Sequence, residues 1–474
     1  MLQLLARASA GSPIVLRGPA TWPWYLQYLR DPIGCVISIQ RRYGDFCALR
    51  PPLRLAGPRR TTVFAFGPAQ NEQVLGHPEV FRTGGQGIPG PRGSLQSQLR
   101  QGLTRMKEPK HKLQRQLVMP TVLKSSVDRY LPAMKTIIAE ELECWRPGGA
   151  VNVNMDAEMR RITMRIAGET LFGEPDRERS LRFGSMVSEW LRRNYTFGAT
   201  YFPVDFIGTS YRGLLKFAER LTDEIREMIR RRRANGVERG DILSVLVKAR
   251  DEGMADVSEG DLLGQTAILF AASFETTATT LGWTLFLLAQ SPAVTAKLRD
   301  EINRAPGADL DNLPLLDAVI KESMRILPPV ALTLRAVTTA TELNGLPLRK
   351  GDRVICSHYL THRIPDLYPD PNRFDPQRWF SIKPGHYEYI PFSAGPRQCI
   401  GPVFATRVIK QVLAAIVPRF CFRVVEGSRI DRDFRVTMVP RYGLPMTLHK
   451  PDESFQSVRV KGNIHQMVDL TRAN

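Results

Sequence analysis

The chain has 474 residues, 43% of them hydrophobic, with 36 Gly and 35 Pro. That composition is globular and excludes a disordered or fibrous chain. The formal charge is +19, from 66 basic and 47 acidic residues, which suits an acidic partner; no zinc-finger or RNA-binding motif accompanies it, so nucleic acid is not expected.

The N-terminal run "MLQLL" is broken at Arg7. At about five residues it is too short for a signal peptide or a membrane span. The six cysteines (35, 47, 144, 356, 399 and 421) share no CxxC spacing. Reduced thiols in a soluble, cytoplasmic monomer are the expectation. Residues 20–90 are Pro-rich and β-like, with strands predicted at 45–50 and 60–67. From 108 to 305 the apolar period is helical. Long helices are predicted at 132–145, 219–233 and 259–290, the last about 45 Å long. The run RRRR at 230–233 reads as a solvated helix C-terminus. A short helix is predicted at 313–327, then small strands around "LTLRAV" and "RVICSHYL". The stretch 361–398 is irregular, and loops of that length are usually functional. A helix follows from Pro402 to about Pro418, with Pro at its first turn. The fold class expected is mainly α with a small β region: one domain over 1–450 and a disordered tail over 451–474.

The loop "PFSAGPRQCIGPVFA" (391–405) holds Cys399 just before that helix. A helix N-terminus and Arg397 both favour thiolate. Gly395 and Gly401 leave room for a flat, bulky group. A thiolate with a cleared plane suits an axial ligand of haem iron; the competing reading is a buried core cysteine. The spacing Phe392-x-x-Gly395-x-Arg397-x-Cys399-x-Gly401, continued by Ala405, resembles the haem-binding signature of the cytochrome P-450 monooxygenases.

Three further stretches carry the resemblance over residues 20 to 450. "KESMR" supplies Glu322 and Arg325, and "PNRFDPQRW" supplies Arg378. The resemblance implies that these three form a buried network pinning the cysteine loop. "AASFETT" (271–277) is similar to the family's oxygen-binding stretch, with Glu275 and Thr276 as a catalytic acid–alcohol pair relaying protons. Ser273 stands where the family has Gly. "HKLQR" resembles the family's His-x-x-x-Arg, so His111 and Arg115, with Arg335 and Arg397, are the implied partners of the haem carboxylates. His358 and His362 read as structural.

The resemblance implies a helical prism with haem b held between the long helix and the cysteine-loop helix. It implies insertion of one atom of O2 into an apolar substrate such as a fatty acid, terpenoid or steroid. Electrons from NAD(P)H would come through a ferredoxin and a reductase, since no flavin or iron–sulfur motif is present. A peroxygenase or isomerase on the same fold, or a non-catalytic haem sensor, are the alternatives. The implied pocket segments are 86–103, 194–208, 330–334 and 438–444. They include Val330, Leu332 and Leu334, and the aromatics Tyr195, Phe197, Tyr201, Phe202 and Phe206. A cationic patch of Lys107, Lys110, Lys112, Arg407 and Lys410 is expected to dock the acidic donor.

Overall fold

The structure is a computed structural model that describes residues 13–470, except 52–59, 85–86, 146–150, 237–239, 306–308, 435, 452 and 454. The N-terminal apolar run lies outside the described residues, as does the start of the 86–103 segment. The chain forms two compact units. The first comprises the described residues up to Gly84, Met324–Arg373 and Arg378–Cys399; the second comprises Gly85–Ser323, Phe374–Gln377 and the residues from Ile400 on. The β-rich part is therefore not N-terminal alone.

The first unit is built on a six-stranded mixed sheet, in the order Ile14–Arg17, Phe46–Arg50, Thr62–Ala65, Arg353–Ser357, Leu332–Val337, Phe81–Thr83. β-Branched and aromatic residues supply its strands. Its buried face includes Val63, Ala65, Val337, Val354 and Cys356. A hairpin, Thr341–Leu343 with Leu346–Leu348, turns at Asn344 and Gly345, both at positive φ, as a tight two-residue turn requires.

The second unit is mainly helical. Its 31-residue helix Glu259–Ala289 starts with a capping box, in which the Ser258 and Asp261 side chains each satisfy the other's backbone N–H. Past the first turn the helix is buried except at Ile268, Ala272, Ser273, Glu275 and Thr276. The helices Met155–Phe172, Arg177–Arg193 and Ser210–Ala234 belong to the same unit. So does the helix Pro402–Ile416, which begins with the expected proline. A three-stranded antiparallel sheet pairs Cys421–Val424, Pro445–His449 and Val151–Asn154.

The described part of the tail is tied to the second unit. Lys461 N–H donates to the Ser428 carbonyl and Ile430 N–H to that of Lys461, and Ile464, Met467 and Val468 are buried. Its apolar residues are too sparse for a periodic signal, yet they suffice to close a core. Among the described residues, no helix is long and apolar enough to cross a membrane.

Candidate active site

The cysteine loop is held by its own backbone. Cys399 N–H donates to the Phe392 carbonyl at 2.9 Å and Gln398 N–H to that of Gly395 at 3.0 Å. Gly395 has φ +73, and a Cβ there would lie 2.2 Å from the Leu75 carbonyl oxygen. This glycine is therefore explained by a close approach to the helix Pro68–Leu75 rather than by clearance for a ligand. Gly401 does have open space where a Cβ would stand. Cys399 and Cys144 are exposed, whereas Cys35, Cys47, Cys356 and Cys421 are buried. Burial pushes the Cys35, Cys47 and Cys356 thiols up to about 12, so they stay protonated.

The irregular stretch before the loop is tied by arginines. Arg325, fully buried, donates to the carbonyls of His362 (2.9 Å), Pro371 (2.8 Å) and Arg373 (3.2 Å). Arg378 donates to those of Pro369 (2.6 Å) and Arg373 (3.3 Å). Both thus meet at the Arg373 carbonyl. In the second unit, the Glu322 carboxylate accepts from Asp375 N–H at 3.0 Å. Carbonyls without secondary structure are satisfied by guanidinium forks in place of a ladder. In the first unit His358 and His362 are buried, with Nε2 of His358 2.9 Å from the Thr333 hydroxyl and Nε2 of His362 accepting from Ile390 N–H at 2.9 Å.

Arg335 lies in the Leu332–Val337 strand at 5% exposure. Its hydrogen bond to the Thr83 hydroxyl is long, at 3.4 Å. Burial, with the like charge of Arg397, pulls it down to about 10. A buried guanidinium in this setting calls for an anion. Leu332 is buried and Val330 and Leu334 half-buried in the same unit.

In the second unit, Thr276 donates its hydroxyl to the Ala272 carbonyl at 3.1 Å and Ser273 to that of Phe270 at 2.7 Å. Thr277, Thr279, Thr280 and Thr284 bond back in the same way. The helix runs unbroken through Ser273. Glu275 is held on two sides, by Arg160 Nη1 at 2.7 Å and by the Ser188 hydroxyl at 2.9 Å. Neither partner is visible in the sequence, since each lies some ninety residues or more upstream with no motif of its own. His111 is buried with Nδ1 2.9 Å from Glu108 Oε1, and Arg115 is half-buried one turn on.

Two expectations change. Arg407 is buried and paired with Asp309, Asp311 and Asp128, and Lys410 is buried against Asp311 and Asp317. Lys110 is paired with Asp261 at 2.6 Å. These cations are spent inside the unit, which leaves Lys107 and Lys112 as the exposed members of the expected patch. Phe197 and Phe202 are 67% and 63% exposed, whereas Tyr195 lines a small cavity of this unit.

Residues 18–444 match the Cytochrome P450 family. The chain is 29% identical to cyclooctat-9-en-7-ol 5-monooxygenase of Streptomyces melanosporofaciens, over 84% of this chain and 89% of that protein. It is 30% identical to cyclooctatin synthase of the same organism, over 85% and 88%. The structure of retinoic acid-bound cyanobacterial CYP120A1 superposes with a TM-score of 0.78 at 25% identity, covering 93% of this chain and all of that one. With the signature loop, the arginine-tied stretch before it and the threonine-rich helix in place, the chain belongs to the cytochrome P450 family and is a monooxygenase of it.

Proposed function

We propose that this cytochrome P450 monooxygenase inserts one oxygen atom from O2 into an apolar, terpenoid-type substrate, with electrons delivered by a separate redox protein. The observation that carries the reading is the exposure of the long helix. Ile268, Ala272 and Thr276, four residues apart and so on one face, are uncovered, with Ser273 and Glu275 beside them, on a helix that past its first turn is otherwise buried. The similarity to a cyclooctat-9-en-7-ol monooxygenase and to a retinoic acid-bound structure supports a terpenoid-type substrate.

The family's cofactor is haem with a cysteine thiolate on iron. The residues fit it: an exposed thiol at a helix start, open space at Gly401, and a buried guanidinium at Arg335 suited to a carboxylate. Cys399 would be the ligand, and Arg335, Arg397, His111 and Arg115 the partners of the carboxylates. Bound there, haem supplies the activation of O2, which a thiolate ligand promotes.

The chain's own contribution is position and protons. The Thr276 hydroxyl gives its hydrogen to the Ala272 carbonyl, so its oxygen is left to accept from a group lying over the helix. Arg160 and the Ser188 hydroxyl each take one oxygen of Glu275, which orients its carboxylate and leaves a second lone pair on each oxygen for a proton. The test is a spectral titration with a terpenoid library, followed by turnover with a surrogate ferredoxin and reductase. Oxygenated product from a terpenoid supports the reading. A thiolate-type CO spectrum with no oxygenation of any terpenoid would reject the substrate class.

A further inference from the structure

Three helices of the second unit meet at the carboxylate of Glu275. Where Met155–Phe172 packs on Arg177–Arg193, a Cβ on Gly184 would stand 2.7 Å from the Met164 side chain, so this glycine lets the two helices approach. One turn on from that contact stands Ser188, and one turn back along the other helix stands Arg160. Glu275 of the long helix lies between them. Its Oε1 accepts from the Ser188 hydroxyl at 2.9 Å and its Oε2 from Arg160 at 2.7 Å.

Ser188 departs from the usual habit of a helical hydroxyl. Thr163, Thr170, Thr222, Ser273, Thr276 and Thr280 each donate to a carbonyl three or four residues earlier in their own helix. Ser188 donates across to another helix, and among the described residues its oxygen holds no second bond. Its lone pairs are therefore open to water. Ser188 is half-buried, and Ser185, one turn earlier on the same face, is exposed, whereas Phe183, Val187 and Trp190 are buried. The hydroxyl thus stands between water and a carboxylate that is 14% exposed. Of the two groups on Glu275, the guanidinium keeps its protons and only orients, while a hydroxyl gives one proton and takes another.

We propose that Ser188 is the point at which protons from water enter Glu275. A hydronium ion gives a proton to Ser188 Oγ and leaves as water, while the hydroxyl's own hydrogen passes to Glu275 Oε1. The serine ends as it began. The carboxylate ends as a neutral acid, released from its charge pair with Arg160 and next in sequence to Thr276. The inference rests on the reading of Glu275 and Thr276 as the proton-relaying pair and adds where their protons come from.

The test is light-triggered proton release from a caged acid in the haem-loaded full chain, followed by time-resolved infrared absorption. The carboxylic-acid band of Glu275 is the one missing from Glu275→Gln. It is expected to rise in the wild type and to rise at least about tenfold more slowly in Ser188→Ala, the scale of a lost proton-transfer group. Ser188→Thr should keep the wild-type rate to within about threefold, and Ser188→Val, which has the same shape without the hydroxyl, should not. That pair decides the matter if Ser188→Ala does not fold. A rise as fast in Ser188→Ala as in the wild type, equal rates in the Thr and Val variants, or no Glu275 band in the wild type overturns the proposal. Product formation that stays coupled to O2 consumption in both Glu275→Gln and Thr276→Ala would instead count against the proton-relay reading on which it rests.

Discussion

Arg160 bridges Glu275 and Asp156, with Nη1 2.7 Å from one carboxylate and Nε 3.1 Å from the other. Two acids share one cation, and burial raises the Asp156 carboxyl above its usual range. Arg160→Ala is expected to destabilise the chain by about 2–4 kcal/mol, a buried-pair loss discounted for partial exposure. Urea unfolding measures it. The loss should shrink as pH falls, because protonating either acid removes the repulsion; a loss that grows toward acid pH would contradict this account.

Thr276→Ala is expected to uncouple turnover, with NAD(P)H and O2 consumed, peroxide rising and product falling. Thr276→Ser should keep most of the coupling, since the hydroxyl is the working part. Coupling unchanged in Thr276→Ala but lost when Ser273→Ala is added would move the role to Ser273, whose hydroxyl lies one turn earlier.

Cys399→Ser is expected to abolish the thiolate-type absorption of the reduced CO complex. Exposure leaves two cysteines, Cys144 and Cys399, since Cys35, Cys47, Cys356 and Cys421 are buried, and the motif around Cys399 chooses between them. A variant that retains the thiolate spectrum would assign the ligand to another cysteine.

The docking charge is expected to reside in Lys107 and Lys112. Reversing both to Glu should slow haem reduction by a ferredoxin and flatten its salt dependence. Arg407→Ala should instead cost about 1–3 kcal/mol of stability, because it is buried among carboxylates. An Arg407→Ala chain of unchanged stability but slow reduction would restore the wider patch.

Much of this was legible in the sequence, and the reason differs by element. The long helix announces itself by apolar content and a Ser–Asp start, and its observed bounds fall within a residue of those predicted. The loop around Cys399 is legible as spacing. What spacing does not carry is partnership at a distance. Lys410 looks like a surface lysine until Asp311, 99 residues away, is placed beside it. The reason for Gly395 is likewise hidden, because the obstructing carbonyl belongs to Leu75. The order of the tail is not legible, because four buried apolar side chains, Val460, Ile464, Met467 and Val468, leave no period to detect.

Stability is expected to fall in mild acid through two histidines. Burial pushes His358 down to about 3 and His362 well below its usual value. Both are neutral in the folded chain and titrate near 6.5 once unfolded. Their contribution is therefore complete above about pH 6.5 and lost as pH falls below it, by about 2 kcal/mol for each at pH 5. Urea unfolding at pH 7.5 and pH 5 checks this. His358→Gln should lessen the acid loss, and an unchanged pH slope would contradict it.

The sheet of the first unit has a consequence for synthesis. The strand Thr62–Ala65 pairs in parallel with Arg353–Ser357, and Thr61 N–H is bonded to Asp352, 291 residues later. At about 5–20 residues per second, one edge of that strand waits on the order of 15–60 s on the ribosome for its neighbour. During that interval it presents unpaired amides to any other nascent chain. The strand that completes this sheet is thus also the one that ends a period of exposure, and the yield of soluble protein should respond to translation speed more than to the stability of the finished fold.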